Sequence, residues 1–264
     1  MHLQHLQLPG LTPYLRASAI QLNVVTAHLT HKKLSPALRA TTSPPPPLLL
    51  TFQTLPTYTC GRREIGNLTA EQVSYLRASG RVEFFEALRG GQTTFHGPGQ
   101  LTAYLIINLP VHQLTARTHI RLLEDSLLDT CAAYGIKGFT TENPGVWVTD
   151  EDKIASVGVH LRRKVTSHGV GLNITTDLAW FDRIVACGLV GKQATSFEKM
   201  GMKPEGRVEE VGRVFAGIVA RHLVDVEGIN SVSMQEVVGQ EVVEAMGLSG
   251  SESGWSRAEK RASE

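Results

Sequence analysis

Cysteine is scarce. Cys60, Cys131 and Cys187 are the three in 264 residues, an odd number without CxxC spacing. Such usage excludes a disulfide framework, argues against a zinc site and suits a reducing compartment. Long apolar runs are missing too: none approaches the about 20 residues that cross a bilayer, so no membrane partner is expected. Excess charge is also missing. The net charge is +1, which gives no reason to expect nucleic acid. The sequence contains no GxxxxGK phosphate loop, no HExxH helix and no GxSxG elbow, and no internal repeat is visible. No metal and no cofactor are expected.

One absence is regional. Residues 1–63 hold Arg16, Lys32, Lys33, Arg39, Arg62 and Arg63 but no acid, and the first carboxylate is Glu64. The remainder carries 20 basic and 25 acidic residues. An acid-free start with scattered positive charge, Ser and Thr resembles an organelle transit sequence, and it lacks the apolar h-region of a secretory signal. A mitochondrial protein is expected, with residues 1–12 as a short targeting segment. The following stretch is itself a predicted helix, so any cleaved piece would be short.

What is present divides into recognisable elements. Leu15, Ala19, Leu22, Val25 and Leu29 recur at helical steps and predict an amphipathic helix over Pro13 to Leu29. The segment 32–47 ends in Thr41-Thr42-Ser43 and four prolines and reads as a polyproline or disordered loop. Leu48 to Tyr58 is strand-like. Thr69-Ala70-Glu71-Gln72 has capping-box spacing and opens a helix through Leu76. Thr115 to Tyr134 is a clear helix with Ile120, Leu123, Leu127 and Cys131 as its apolar stripe and Gly135 at its stop. From Gly145 the sequence reads as an antiparallel meander of short strands: Val146 to Val148, Lys153 to Val159, and Val170 to Ile174. Val208, Val211, Phe215, Ile218 and His222 mark a helix from about Glu205 to Glu227. The catalytic domain is expected over 13–230 and a C-terminal extension over 231–264, disordered beyond 248 on composition.

Chemistry concentrates in a few stretches. Arg89-Gly90-Gly91-Gln92-Thr93-Thr94-Phe95-His96-Gly97-Pro98-Gly99-Gln100 is a glycine-rich loop with a fixed charge and a titratable imidazole, and it runs straight into an apolar strand. His168-Gly169-Val170-Gly171 is a second glycine-histidine stretch. Cys187 sits in Ala-Cys-Gly beside a turn, where Gly188 could turn a backbone N–H toward an oxyanion. A thiol of ordinary pKa is only a few per cent thiolate near neutrality, so a nucleophilic Cys187 needs an activator. His96, His168 and Lys153 are candidates, the last preceding the small residues Ala155, Ser156 and Gly158. From spacing alone, a buried inert thiol and a nucleophile remain equally open readings of Cys187, and an ordinary turn lysine is the simpler reading of Lys153.

These pieces in this order resemble the lipoyl(octanoyl) transferase family. The matching stretches are Arg89-Gly90-Gly91 with His96-Gly97-Pro98-Gly99-Gln100, Gly145-Val146-Trp147-Val148, Lys153 to Gly158, and His168-Gly169 with Leu172-Asn173. Cys187-Gly188-Leu189, Thr195-Ser196, Tyr14, Gln21 and Thr57 to Arg62 match as well, so the likeness runs from about Leu8 to His222. It implies an α/β fold of mixed, largely antiparallel sheets flanked by helices, a single domain like the biotin and lipoate protein ligases. It also implies transfer of octanoyl from octanoyl-acyl carrier protein, through a thioester on Cys187 with Lys153 as proton-transfer partner. The acceptor would be a lysine on lipoyl domains of 2-oxo acid dehydrogenase E2 subunits and of the glycine cleavage H protein. The resemblance places substrate on Arg89, Gly90, Gly91, Gln92, Thr93, Thr94, Phe95, His96, Ser156, Val157, Gly158, Gly169, Val170 and Gly171, with His168 and Asn173 as further candidates. It implies a monomer in the mitochondrial matrix. An ATP-dependent lipoate ligase on the same fold and a non-catalytic scaffold for lipoyl domains are the alternatives.

Overall fold

The computed structural model describes residues 1–184, 191–202 and 207–245. In chain order the elements begin with β1 (His2–Thr12), α1 (Tyr14–Lys33), α2 (Pro36–Thr41), β2 (Leu48–Thr54) and β3 (Thr57–Cys60). Then come α3 (Ala70–Leu76), β4 (Glu83–Glu86), β5 (Thr94–His96), β6 (Gln100–Ile106) and α4 (Ala116–Ala133). The remainder are β7 (Gly145–Trp147), β8 (Asp152–Arg162), β9 (Val165–Asn173), β10 (Gln193–Ala194), α5 (Arg207–His222), β11 (Gly228–Ser231), α6 (Met234–Val238) and α7 (Gln240–Ala245).

The larger sheet runs β10-β8-β9-β6-β2-β1-β11, with β7 also paired to β8. Its centre is antiparallel, and β1 joins β2 and β11 in parallel. Strand alternation then gives each face its own core. Leu49, Leu101 and Leu105 pack with Leu123, Leu127 and Phe215 of α4 and α5. Leu48, Leu50 and Ile106 pack with Ala17, Ile20 and Val24 of α1, joined by Val238 and Val243 of the last two helices. The small sheet, β4-β3-β5, encloses Tyr58, Leu76, Phe95 and Phe181. The mixed, largely antiparallel α/β architecture is the expected one.

Several elements match the sequence closely. The Thr69 capping box is formed. A second one, at Thr115, opens α4, and Gly135 takes φ +75° just past its end. The meander over β7, β8 and β9 is antiparallel throughout. Cys60 and Cys131 are both buried and free, and His222 is half-exposed against Asp129 at 2.8 Å.

Three expectations need correction. The helix at 14–33 exists, but its buried face is Tyr14, Ala17, Ile20, Gln21, Val24, Val25, His28 and Leu29. Leu15 and Leu22 are 61% and 59% exposed. The face was misread because two polar residues, Gln21 and His28, point inward. The segment 32–47 is not all loop: the last turn of α1 and the short α2, capped by Ser35, occupy 32–41. The extension from 231 carries α6 and α7, whose Val238 and Val243 close one face of the sheet. Positions beyond 248, expected to be disordered, lie outside the described residues.

Candidate active site

The site is floored by the large sheet. Strands β8 and β9 pair Ser156 with Gly171, Val157 with Val170 and Gly158 with Gly169. The glycines keep this floor flat. A Cβ on Gly169 would sit 2.2 Å from the Ala103 carbonyl oxygen, and one on Gly158 would press the Gly90 carbonyl oxygen at 3.1 Å. The loop from Arg89 can therefore lie directly on the sheet, where the Gly90 N–H donates to the Val159 carbonyl at 3.0 Å.

Arg89 holds that loop in shape. It is buried, and its Nε and Nη2 donate to the Thr59 hydroxyl at 3.1 and 2.8 Å. Nη2 also reaches the Thr59 carbonyl at 2.6 Å, and Nη1 reaches that of Gly90 at 3.0 Å. Glu64 anchors the next residues, its Oε2 accepting from both the N–H and the hydroxyl of Thr93 at 2.6 Å. His96 Nδ1 lies 2.7 Å from Gln100 Oε1. Since a carbonyl oxygen only accepts, Nδ1 carries the proton and Nε2 is left bare. Across the cavity His168 takes a left-handed φ of +58°, and its N–H donates to Gln21 Oε1 at 2.5 Å.

The cavity between loop and sheet measures about 260 Å³. Every substrate candidate except Phe95 lines it, as do His168 and Lys153. The Phe95 ring instead packs between Tyr58, Trp180 and Phe181 in the small-sheet core. Strand alternation sends it opposite to its neighbours Thr94 and His96. Asn173 is structural: it accepts from Gln100 and donates to the Thr195 carbonyl. Tyr104, Ile120, Asn143 and Pro144 line the cavity without having been anticipated. They come from β6, α4 and the loop before β7, and they carry no local motif. Cys187 lies outside the described residues.

Lys153 is 6% exposed and stands at the Pro144 end of the cavity. Its Nζ donates to the Pro144 carbonyl at 2.7 Å and lies 5.0 Å from the centre of the Trp147 ring. The lining histidines cannot serve as acids at neutral pH. Burial, helped by the Arg89 charge, lowers the His96 pKa to about 4 and that of His168 to about 3. Burial likewise raises Tyr14 and Tyr104. Among the described lining residues, Lys153 is the one lysine. No three His, Cys, Asp or Glu side chains converge as a metal site among the described residues.

These depressed values carry a stability consequence. Burial also lowers His5, His28 and His119 to about 4. The unfolded chain titrates these groups near 6.5, so below that pH it binds protons that the folded chain refuses. Their contribution to stability is complete above about pH 6.5 and is lost as pH falls toward 4. Urea midpoints should thus be level from pH 8 to 7 and drop steadily from 6.5 to 4.5. A flat profile through that range would contradict the burial of these rings.

Comparison with known proteins now bears on the site. Residues 30–217 match the family described as the lipoyl protein ligase A/B catalytic domain. The chain belongs to this family. Among relatives, a protein of Schizosaccharomyces pombe named "Probable octanoyltransferase" is 45% identical over 193 residues, covering 73% of this chain and 83% of that one. The human mitochondrial octanoyl-acyl-carrier-protein:protein N-octanoyltransferase is 42% identical over 167 residues, covering 62% and 70%. The fold is similar to a bipartite lipoate protein ligase of Thermoplasma acidophilum, with TM-score 0.62 at 13% identity, covering 95% and 98% of the two chains. It is equally similar to a lipoate-protein ligase A solved with ATP, with TM-score 0.61 at 12% identity, covering 92% and 95%. At such identities these structures speak for the fold alone.

Proposed function

We infer that this chain is an octanoyltransferase that works through a thioester on Cys187, with Lys153 moving the protons. The observation that carries the reading is the placement of the Lys153 amine, held by a carbonyl and an aromatic face at one end of a glycine-floored cavity whose histidines are neutral. In the first half-reaction the Cys187 thiolate attacks the octanoyl carbonyl, the bond to the carrier thiol breaks, and a Lys153 ammonium protonates the departing sulfur. In the second, the amine of an acceptor lysine attacks the acyl-enzyme. Lys153, now neutral, takes the proton, and the Cys187 sulfur leaves. No ATP is consumed, because each acyl bond broken is a thioester. Burying the six methylenes of octanoyl would contribute about 5 kcal/mol at 0.8 per methylene.

The donor is octanoyl-acyl carrier protein, and the acceptors are lipoyl domains of 2-oxo acid dehydrogenase E2 subunits and glycine cleavage H protein. The mitochondrial names of relatives from zebrafish, human and yeast support a mitochondrial site of action. The test is intact-mass spectrometry of the chain incubated with octanoyl-acyl carrier protein, followed by peptide mapping. A single octanoyl adduct on the Cys187 peptide, removed by hydroxylamine, is expected. Transfer that appears only with ATP and free octanoate would favour the ligase chemistry instead.

A further inference from the structure

Glu124 is a carboxylate in the wrong place for an ordinary helix residue. It lies on α4, 6% exposed, on a face otherwise buried against the sheet, and no motif singles it out. Its Oε1 accepts the Gly145 N–H at 2.9 Å. That N–H belongs to the same peptide group as the Pro144 carbonyl, which accepts Lys153 Nζ at 2.7 Å. One planar peptide thus stands between a buried carboxylate and the amine, bonded to each. Hydrogen bonds in such a chain polarise one another: a carboxylate on the N–H enriches the carbonyl oxygen that faces the amine.

The packing enforces the arrangement. Gly145 has φ +130°, and a Cβ there would lie 2.4 Å from Lys153 Cε and 3.0 Å from Nζ. Only glycine lets this peptide abut the lysine so closely. Burial, and to a smaller extent the Asp125 charge, raises the Glu124 pKa, while the Gly145 N–H, Arg121 and Lys153 favour its charged form. Arg121 is largely committed to Asp125, an ion pair at 3.2 Å on the exposed side of the helix.

We propose that Glu124 is a positioning residue for the Lys153 amine, acting through the Pro144–Gly145 peptide. This rests on Lys153 being the proton-transfer group. Glu124→Gln keeps an acceptor oxygen for Gly145 and removes the charge, so it separates relay from bracing. The variant should melt as the parent does. Its kcat should fall about tenfold with KM for octanoyl-acyl carrier protein unchanged, since an outlying group that aids only proton transfer does not bind substrate. Glu124→Ala should lose more. In a Lys153→Ala background, Glu124→Gln should add no further loss.

A second readout does not depend on turnover. Trace acetylation with acetic anhydride across a pH series, read at the Lys153 peptide, should show its midpoint about one pH unit lower in Glu124→Gln than in the parent, the counterpart of a tenfold change. Parental kcat and a parental labelling profile in a folded Glu124→Gln would overturn the proposal, as would additive losses with Lys153→Ala. Should the unaltered chain transfer no octanoyl, the functional reading fails, and the labelling midpoint still decides whether Glu124 governs the amine.

Discussion

Lys153→Ala should leave the fold intact and slow octanoyl transfer by about 10²- to 10⁴-fold, the usual contribution of a positioned proton-transfer group. The side chain lies over Trp147 rather than inside a hydrophobic cluster, and β8 keeps its backbone pairing with β7, β9 and β10 whatever the residue. Far-ultraviolet dichroism should therefore be unchanged. Lys153→Arg should not restore the rate. A guanidinium is permanently charged and cannot take the proton from the attacking lysine. The measurement is single-turnover transfer to a lipoyl domain, and near-normal rates for either variant would remove Lys153 from the mechanism.

Arg89→Ala should act mainly on stability and substrate affinity. Four hydrogen bonds converge from this guanidinium on Thr59 and Gly90. Removing it strands the buried hydroxyl and carbonyl of Thr59, each costing about 1–3 kcal/mol, so a loss of about 2–6 kcal/mol is expected. That corresponds to roughly 10 °C in Tm for a chain of this size. The loop would also lift from Val159, raising KM. Arg89→Lys should recover little, because a single ammonium cannot reproduce the fork. His96 and His168 should remain neutral in either variant, since burial is the larger cause of their low values and the Arg89 charge the smaller. A Tm within two degrees of the parent, checked by calorimetry, would show that the loop is held by something else.

Local patterns made the middle of the chain legible. The Thr69 capping box, the stripe of α5 and the meander are all short-range signals, and each formed as read. What escaped depends on distant partners. β1 mixes Leu3, Leu6 and Leu8 with histidine and glutamine without strict alternation, and it becomes a strand because β2 and β11 flank it. His5, inside it, is buried only because Thr51 of β2 meets its ring at 2.8 Å. The packing of the Phe95 ring in the small-sheet core was not legible, because a loop motif does not say which way each side chain turns. Glu124 left no trace, since its partner is a backbone N–H 21 residues away. Tyr14, which lines the cavity, was legible only as a match to the family, because the buried face it shares with Gln21 and His28 is not the apolar stripe that the spacing of leucines suggests.

The position of β1 also bears on how the chain acquires its fold. Its register joins His2 to Gly228 and His5 to Ser231, partners 226 residues apart in the sequence (228 − 2 and 231 − 5). Until β11 docks, β1 exposes a row of unpaired N–H and C=O groups along one edge, the template on which chains pair with one another. Closing so long a loop is slow. Refolding yield should thus fall as protein concentration rises, because that edge stays open while the loop closes.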